Sequence, residues 1–254
     1  MGVAFSGGVD STLLLAAAKK GLGDRVVAFT AVSNIHPSGE KELAIEMAKQ
    51  LGVRHVLIPT HELDNPDFVD NGVDRCYHCK RQLFLAILEQ SATLGINVTA
   101  HGANLDDVSD VRPGFRAARE LSVAAPLIDA GLTKADVRQL ARKWGLANWD
   151  RPSMACLATR IPYGTMIRLE MLQQIDRAEA MLRRFGVGQC RVRHYGNMAR
   201  IETDAAWIER MASPPLRQQI VQGLQALGYQ HVCLDLEGYL SGKMNRGKGP
   251  SERP

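Results

Sequence analysis

The chain lacks most of what would mark a secreted, membrane or nucleic-acid-binding protein. No apolar run approaches the length needed to cross a bilayer and no signal peptide precedes the first strand-like segment, so the expected compartment is the cytoplasm. There is no dense run of lysine and arginine interleaved with aromatics. The formal net charge of +4 suits anionic small molecules, and a nucleic-acid partner is not expected. Two common nucleotide signatures are also missing near the N-terminus: no GKS or GKT follows the glycines, and there is no GxGxxG. The seven histidines show no paired metal spacing, and only His78, inside CYHC, invites attention. Five cysteines, an odd number without secretion signals, argue against a disulfide framework and for metal, cluster or sulfur chemistry.

What is present begins with VAFSGGVDSTLLL, residues 3 to 15, a short apolar run, a glycine turn and then a helical run. Unpaired amides at a helix N-terminus attract anions, so Gly7 and Gly8 are placed to cradle phosphate. Ser6 and Ser11 add hydroxyl donors. Asp10 is out of place beside an anion unless a cation such as magnesium lies between them. A strand-to-helix turn of any α/β protein is the bland alternative. SGGVDS is more specific than a bare glycine turn, and it resembles the PP-loop of the ATP pyrophosphatases, which adenylate a carbonyl or carboxyl oxygen and release pyrophosphate.

At 254 residues, with 45% hydrophobic and 23% charged side chains, the chain has room for one large unit or two smaller ones, and two is the expectation. Strands are expected at 25–30, 54–59 and 97–102, and helices at 38–52 with Ser38 as cap, 78–94, and 133–145 with Thr133 as cap. Such alternation implies an α/β fold with a parallel sheet covered by helices on both faces, and ligands bind at the carboxyl ends of its strands. SGGVDS, Ser33 and HGANLDD (101 to 107) fall there. Periodicity fades near 149–164, a boundary between units. Beyond it, the apolar spacing of Met171, Ile175, Ala178, Met181, Leu182 and Phe185 gives a helix. Two strand candidates, two helices and a last strand at HVCLDL complete a small α+β unit. The expected division is 1–155, 156–245 and a polar, disordered tail at 246–254.

RCYHCKR sets Cys76 and Cys79 three residues apart at or just before a helix start, so both sulfurs can face one point. Half a zinc site, a redox pair and two ligands of an iron–sulfur cluster all remain open on that spacing. Cys190 and Cys233 lie in apolar strand patterns and read as core residues. Cys156 lies in the irregular PSMACLATR segment, where Arg151 and Arg160 would favour its thiolate, with plain packing as the competing reading. Asp106 and Asp107 could reach magnesium, position substrate, or simply cap a turn. Arg191 and Arg193 alternate with Val192 on a strand, so both guanidiniums project from one face and suit a shared phosphate. A solvated strand face is the alternative.

Taken in order, SGGVDSTLLL, HGANLDDVSDVRPG, PSMACLATRIPYG and RVRHYGNMARIE resemble the LarE family over nearly the whole chain. Members of that family are ATP-dependent sulfur transferases that adenylate a carboxylate of a pyridinium biscarboxylate mononucleotide and install sulfur to make a thiocarboxylate. The resemblance implies ATP and magnesium as cofactors, Ser33 and the backbone of Gly102 at the adenosine, and Arg160 near the transferring group. It places acidic positions at Glu179 and Glu202. In one branch of the family a single cysteine matching Cys156 gives up its own sulfur. The branch with an added CxxC carries a 4Fe-4S cluster on three cysteines, and Cys76, Cys79 and Cys156 match it. Three thiolates leave one iron without a protein ligand, free to carry sulfide to an acyl-adenylate. A homo-oligomer, of up to six chains, is also implied, as is a short helix ahead of the first strand that this sequence does not include. A PP-loop tRNA thiolase, an ammonia-using ligase such as NAD or GMP synthetase, and a non-catalytic ATP or cluster sensor are the alternatives. The sulfide donor is left open.

Overall fold

A computed structural model describes residues 1–108, 113–152, 155–240 and 242–246, with backbone only at Pro113 and Asn245. In chain order the first sheet region comprises β1 (Gly2–Ala4), α1 (Val9–Leu22), β2 (Val27–Val32), α2 (Glu40–Gln50), β3 (Arg54–Pro59), α3 (Pro66–Val69), α4 (Arg75–Thr93) and β4 (Thr99–His101). It continues through α5 (Pro113–Glu120), α6 (Pro126–Asp129) and α7 (Lys134–Lys143). Its strands run parallel in the order β3-β2-β1-β4. Alternation along β2 splits the core into two layers. Ala28 faces Leu13, Leu14, Ala44, Met47 and Val137 on one side. Val27 and Phe29 face Phe84, Ile87 and Ala117 on the other. This is the α/β class expected, with helices on both faces.

The second sheet follows α8 (Leu169–Arg184) and consists of β5 (Cys190–Tyr195), β6 (Met198–Thr203) and, after α9 (Ala205–Ala212) and α10 (Leu216–Ala226), β7 (His231–Leu234). β5 and β6 are antiparallel, β6 and β7 parallel. Leu182, Val192, Ile201, Met211, Ile220 and Leu224 form its core. Between the sheets, the segment around Leu157 and Ile161 joins Ile35 and Phe68 of the first region to Leu172 and Ile175 of α8 in one apolar cluster. Backbone bonds stitch it in place, with Leu157 N donating to Ile35 O at 2.7 Å and Ile167 N to Val69 O at 2.9 Å.

Some local expectations need correction. Ser38 does not cap α2: Gly39, in the left-handed region at φ 88°, takes that position. Ser38 instead donates from its amide and hydroxyl to Asp176 Oδ1, at 3.0 and 3.2 Å, reaching across to α8. Thr133 does cap α7, in a reciprocal box with Asp136. Cys233 is exposed rather than core, because it lies on the face of β7 opposite Val232 and Leu234, which pack on the second core, whereas Cys190 is buried. Helices α5 and α6, too short to show a clear period, were not expected. Apart from Arg246, the tail expected to be disordered lies outside the described residues, as do Ser109–Arg112 of the HGANLDD region and Ser153 and Met154 of the cysteine segment.

Candidate active site

β1 delivers the chain to the carboxyl edge of the sheet, where Gly7 turns with φ 72° and Gly8 becomes the N-cap of α1. A Cβ on Gly7 would lie 3.2 Å from the backbone of Ala44, so both space and φ favour glycine. No side chain caps α1, which leaves first-turn amides for a ligand or water. Ser6 and Ser11 interlock at the turn, with hydroxyls 3.3 Å apart, and Ser11 Oγ donates to Gly8 O at 3.1 Å. Gly102 closes against the same helix, where a Cβ would meet Ser11 N and Cα at 2.8 Å.

These residues open onto a cavity of about 580 Å³, a size that suits a nucleotide. Ser6, Gly8, Asp10, Ser11, Ser33, Gly102 and Asp107 all line it. Gly7 is buried within the turn and does not line the cavity. Ser33 Oγ accepts from Ile35 N at 3.2 Å. The cavity has a polar end at the glycine turn and an apolar end at Phe84, Ile87 and Phe115. His101 belongs to the second end: its ring centroid stands 5.7 Å from that of Phe84 and 5.9 Å from that of Phe115. Burial, aided by Lys80, pushes His101 down to about 4, so it is neutral near pH 7. Asp10 is held by Lys134 Nζ and by Asn104 Nδ2, the latter at 3.0 Å. Asp106 and Asp107 serve the local turn: Asn104 N donates to Asp107 Oδ2 at 3.0 Å, and Lys134 N to Asp106 Oδ2 at 2.9 Å.

The cysteines gather beside this cavity, not in its wall. Cys76 and Cys79 lie in the first turn and a half of α4, and Cys79 and Cys156 both pack against the apolar cluster that joins the two sheets. Each of Cys76, Cys79 and Cys156 keeps some exposed surface. Their charges act on one another, so residues eighty positions apart in sequence are neighbours in space. The surrounding atoms nonetheless enclose two of the thiols: burial pushes Cys79 up to about 12 and raises Cys156 as well. Burial thus works against the thiolate expected at Cys156 in the protein alone. Arg75 and Arg160 oppose the shift without reversing it, because desolvation outweighs their charge. Among the described residues, no three His, Cys, Asp or Glu side chains stand in ready-made metal-binding geometry. His78 lies 3.4 Å from Asp67.

A group of buried ion pairs backs the cysteines. Arg160 is wholly buried and meets Glu179 through two bonds of 2.8 and 2.9 Å, while its Nη1 donates to the carbonyls of Ala155 and Cys156 at 2.6 and 3.0 Å. Burial alone would raise the Glu179 carboxyl, but Arg160, helped by Arg191 and the Val192 amide, holds Glu179 below the usual carboxylate range. Arg193 pairs with Glu202 at 2.5 Å and donates to Thr159 O at 3.0 Å. Arg191, on the same face of β5, lies 5.1 Å from the Tyr239 ring, and burial together with Arg160 lowers its pKa. The arginine face is thus buried rather than solvated, and Arg193 is committed to Glu202.

Four contributors escaped the sequence reading. Glu40, at the head of α2, lines the cavity and is pushed up to about 7 by burial, even though Arg160, Arg151, Arg191 and Lys80 all act to lower it. Lys80, one residue past Cys79, also lines the cavity. Arg75 is buried and donates to Asn71 Oδ1 and, at 3.1 Å, to Ala158 O, tying the cysteine helix to the Cys156 segment. Lys134 neutralises Asp10. Only Lys80 and Arg75 carried a signal, as the basic residues flanking CYHC.

A glycine turn of this form at the head of α1, opening on a nucleotide-sized cavity at the sheet's carboxyl edge, defines a PP-loop enzyme that uses ATP. Residues 1–93 match the asparagine synthase family. Over 244 residues, 96% of this chain and 88% of the other, it is 34% identical to the pyridinium-3,5-bisthiocarboxylic acid mononucleotide synthase of Lactiplantibacillus plantarum. It is 43% identical over 244 residues to an uncharacterized protein of Synechocystis, covering 91% of that protein. A weaker similarity, 29% over 207 residues, links it to 38% of the glutamine-hydrolyzing GMP synthase of Aeropyrum pernix. The chain belongs to the LarE family and is an ATP-dependent sulfurtransferase. Among the described residues, no helix is long and apolar enough to cross a membrane.

Proposed function

We propose that this enzyme activates a carboxylate of pyridinium-3,5-biscarboxylic acid mononucleotide with ATP and converts it to a thiocarboxylate. The carboxylate oxygen attacks the α-phosphorus, pyrophosphate leaves, and sulfur then displaces AMP from the acyl-adenylate. First-turn amides of α1, with Ser6 and Ser11, receive the leaving pyrophosphate, and Asp10 is the group that would hold magnesium beside it. Neutral His101, with Phe84 and Phe115, offers the adenine an apolar wall. Ser33 and the Gly102 backbone lie within reach of the ribose side. Arg191 disfavours its own charge where it stands, so an anion beside it is welcome, and the substrate phosphate supplies one; Arg193 borders the same place.

The observation that carries the sulfur step is the convergence of Cys76, Cys79 and Cys156 from two remote segments next to the ATP cavity. Three soft sulfurs, two of them (Cys79 and Cys156) on thiols that burial holds protonated in the bare protein, fit a metal group that would stabilise the thiolates. A 4Fe-4S cluster held by them would supply the transferred sulfur. Arg160 and Arg75 anchor the Cys156 segment through backbone carbonyls, and Glu179 keeps Arg160 in place. On this reading residues 1–155 adenylate, residues 156–245 complete the sulfur and substrate site, and the chain assembles as a homo-oligomer. The test is to incubate the anoxically purified enzyme with ATP, magnesium, sulfide and the biscarboxylic mononucleotide. AMP, pyrophosphate and a product heavier by one sulfur-for-oxygen exchange are expected. Pyrophosphate release without sulfur incorporation would remove the second half of the mechanism.

A further inference from the structure

We infer that Asn148 is a positioning residue for the phosphate loop, setting the direction in which the Gly7–Gly8 peptide faces. Asn148 lies in the turn after α7, is 3% exposed, and uses both hydrogens of its Nδ2, donating to Gly7 O at 2.7 Å and to Thr12 Oγ1 at 2.9 Å. One partner belongs to the loop and the other to the first turn of α1, so a single amide group fixes the angle between them. The orientation of that amide is unambiguous, because Gly7 O can only accept. Gly7 has φ 72°, in the left-handed region that glycine enters without penalty, and the peptide that carries its carbonyl also carries the Gly8 amide. Gly8 lines the cavity, and its amide donates weakly, at 3.4 Å, to Ser6 Oγ. Holding the carbonyl on the far side of the peptide therefore holds the amide toward the phosphate.

This arrangement carries a cost. Asn148 Oδ1 is buried and accepts no hydrogen bond among the described residues, a cost the fold carries in order to place Nδ2. Asn148 itself has little freedom, since Leu146 and Trp149 on either side join the core under the first sheet, and Arg142 of α7 lies 5.0 Å from the Trp149 ring. The same helix sends Lys134 to Asp10. α7 and the turn that follows thus brace the loop at both its carbonyl and its carboxylate, from a stretch of chain that comes after the last strand of the sheet.

This inference rests on the reading of Gly7 to Ser11 as a pyrophosphate cradle, and the test separates the two. Binding of inorganic pyrophosphate with magnesium, and separately of adenosine, is measured by calorimetry on the full chain and on Asn148→Asp, Asn148→Ala and Thr12→Val. Asn148→Asp is isosteric and turns a carboxylate toward Gly7 O. It is expected to weaken pyrophosphate about tenfold or more while adenosine binding stays within about twofold. Thr12→Val removes one of the two acceptors and is expected to cost pyrophosphate roughly threefold. Folding is checked by circular dichroism. If the Asn148 variants do not fold, the Thr12 variant decides, and unchanged pyrophosphate binding there overturns the inference. Equal weakening of both ligands would reduce Asn148 to a general structural role and also overturn it. A native chain that binds adenosine but not pyrophosphate would sink the cradle reading itself, and this inference with it.

Discussion

On the proposed reading, the phosphate end of the site and the sulfur end are built by opposite means. At the phosphate end the groups that matter are backbone amides, short hydroxyls and two glycines within six consecutive residues, Ser6 to Ser11, and their geometry is set by close backbone contact. At the sulfur end the side chains come from α4, the Leu157 segment, α8 and the second sheet, and they are held by charges buried away from water. A site of the first kind tolerates little change in shape. One of the second kind tolerates little change in charge.

The comparison breaks most plainly at Glu179. Glu179→Gln leaves Arg160 buried without its counter-charge, and a loss of about 3–5 kcal/mol in unfolding free energy is expected, read by chemical denaturation. Replacing both partners, Arg160→Met with Glu179→Leu, should recover much of that stability while sulfur transfer stays lost. Recovery of activity in the double variant would contradict the role given to Arg160. At the other end, Gly102→Ala drives a methyl group to within 2.8 Å of the Ser11 backbone. About 1–3 kcal/mol of destabilisation is expected, together with weaker ATP binding and unchanged iron content.

Glu40 lines the cavity and feels the charges of Arg160 and Arg191, and it sharpens the contrast through pH. Burial raises its pKa to about 7, while the unfolded chain ionises near 4.5, so the folded state holds an extra proton between those values. Stability from this group is present below about 4.5 and declines as pH rises through 7. Glu40→Gln should therefore be the more stable protein at pH 8, by on the order of 1–2 kcal/mol, with the two converging toward pH 4.5. Because ATP is anionic, native affinity should also fall more steeply than that of the variant between pH 6 and 8. The smallest effect is expected at Thr133→Ala, which removes the cap of the helix that carries Lys134, at about 1 kcal/mol and a slight loss of ATP affinity.

The two ends also differed in how far they could be read from sequence. SGGVDS announces itself because its chemistry is local: strand, turn and helix follow one another, and the capping box at Thr133 is equally self-contained. β3 and the helix carrying Met171 to Phe185 were legible from side-chain period alone. Short or strained pieces were not. α5 and α6 are too brief to repeat a pattern, and the start of α2 depends on Gly39 at positive φ and on Ser38 turning away to Asp176. The sulfur end was legible in residue type, as CYHC, Cys156, Arg160 and the acidic partners. Its electrostatics were not, since burial at Cys156, Glu40 and Arg191 arises from contacts between segments far apart in sequence. Asn148 gave no signal at all, because an asparagine in a turn is ordinary until its amide is seen on Gly7 O.

The central claim, that Cys76, Cys79 and Cys156 together carry the transferable sulfur, is tested most directly by iron and acid-labile sulfide per chain after anoxic purification. The account predicts about four of each in the native protein and none in Cys76→Ala, Cys79→Ala or Cys156→Ala, with ATP binding preserved in all three. A native chain that holds no iron even after anoxic reconstitution, or a Cys156→Ala variant that retains it in full, would contradict the account and leave Cys156 as a consumed sulfur donor or the CYHC pair as a persulfide carrier.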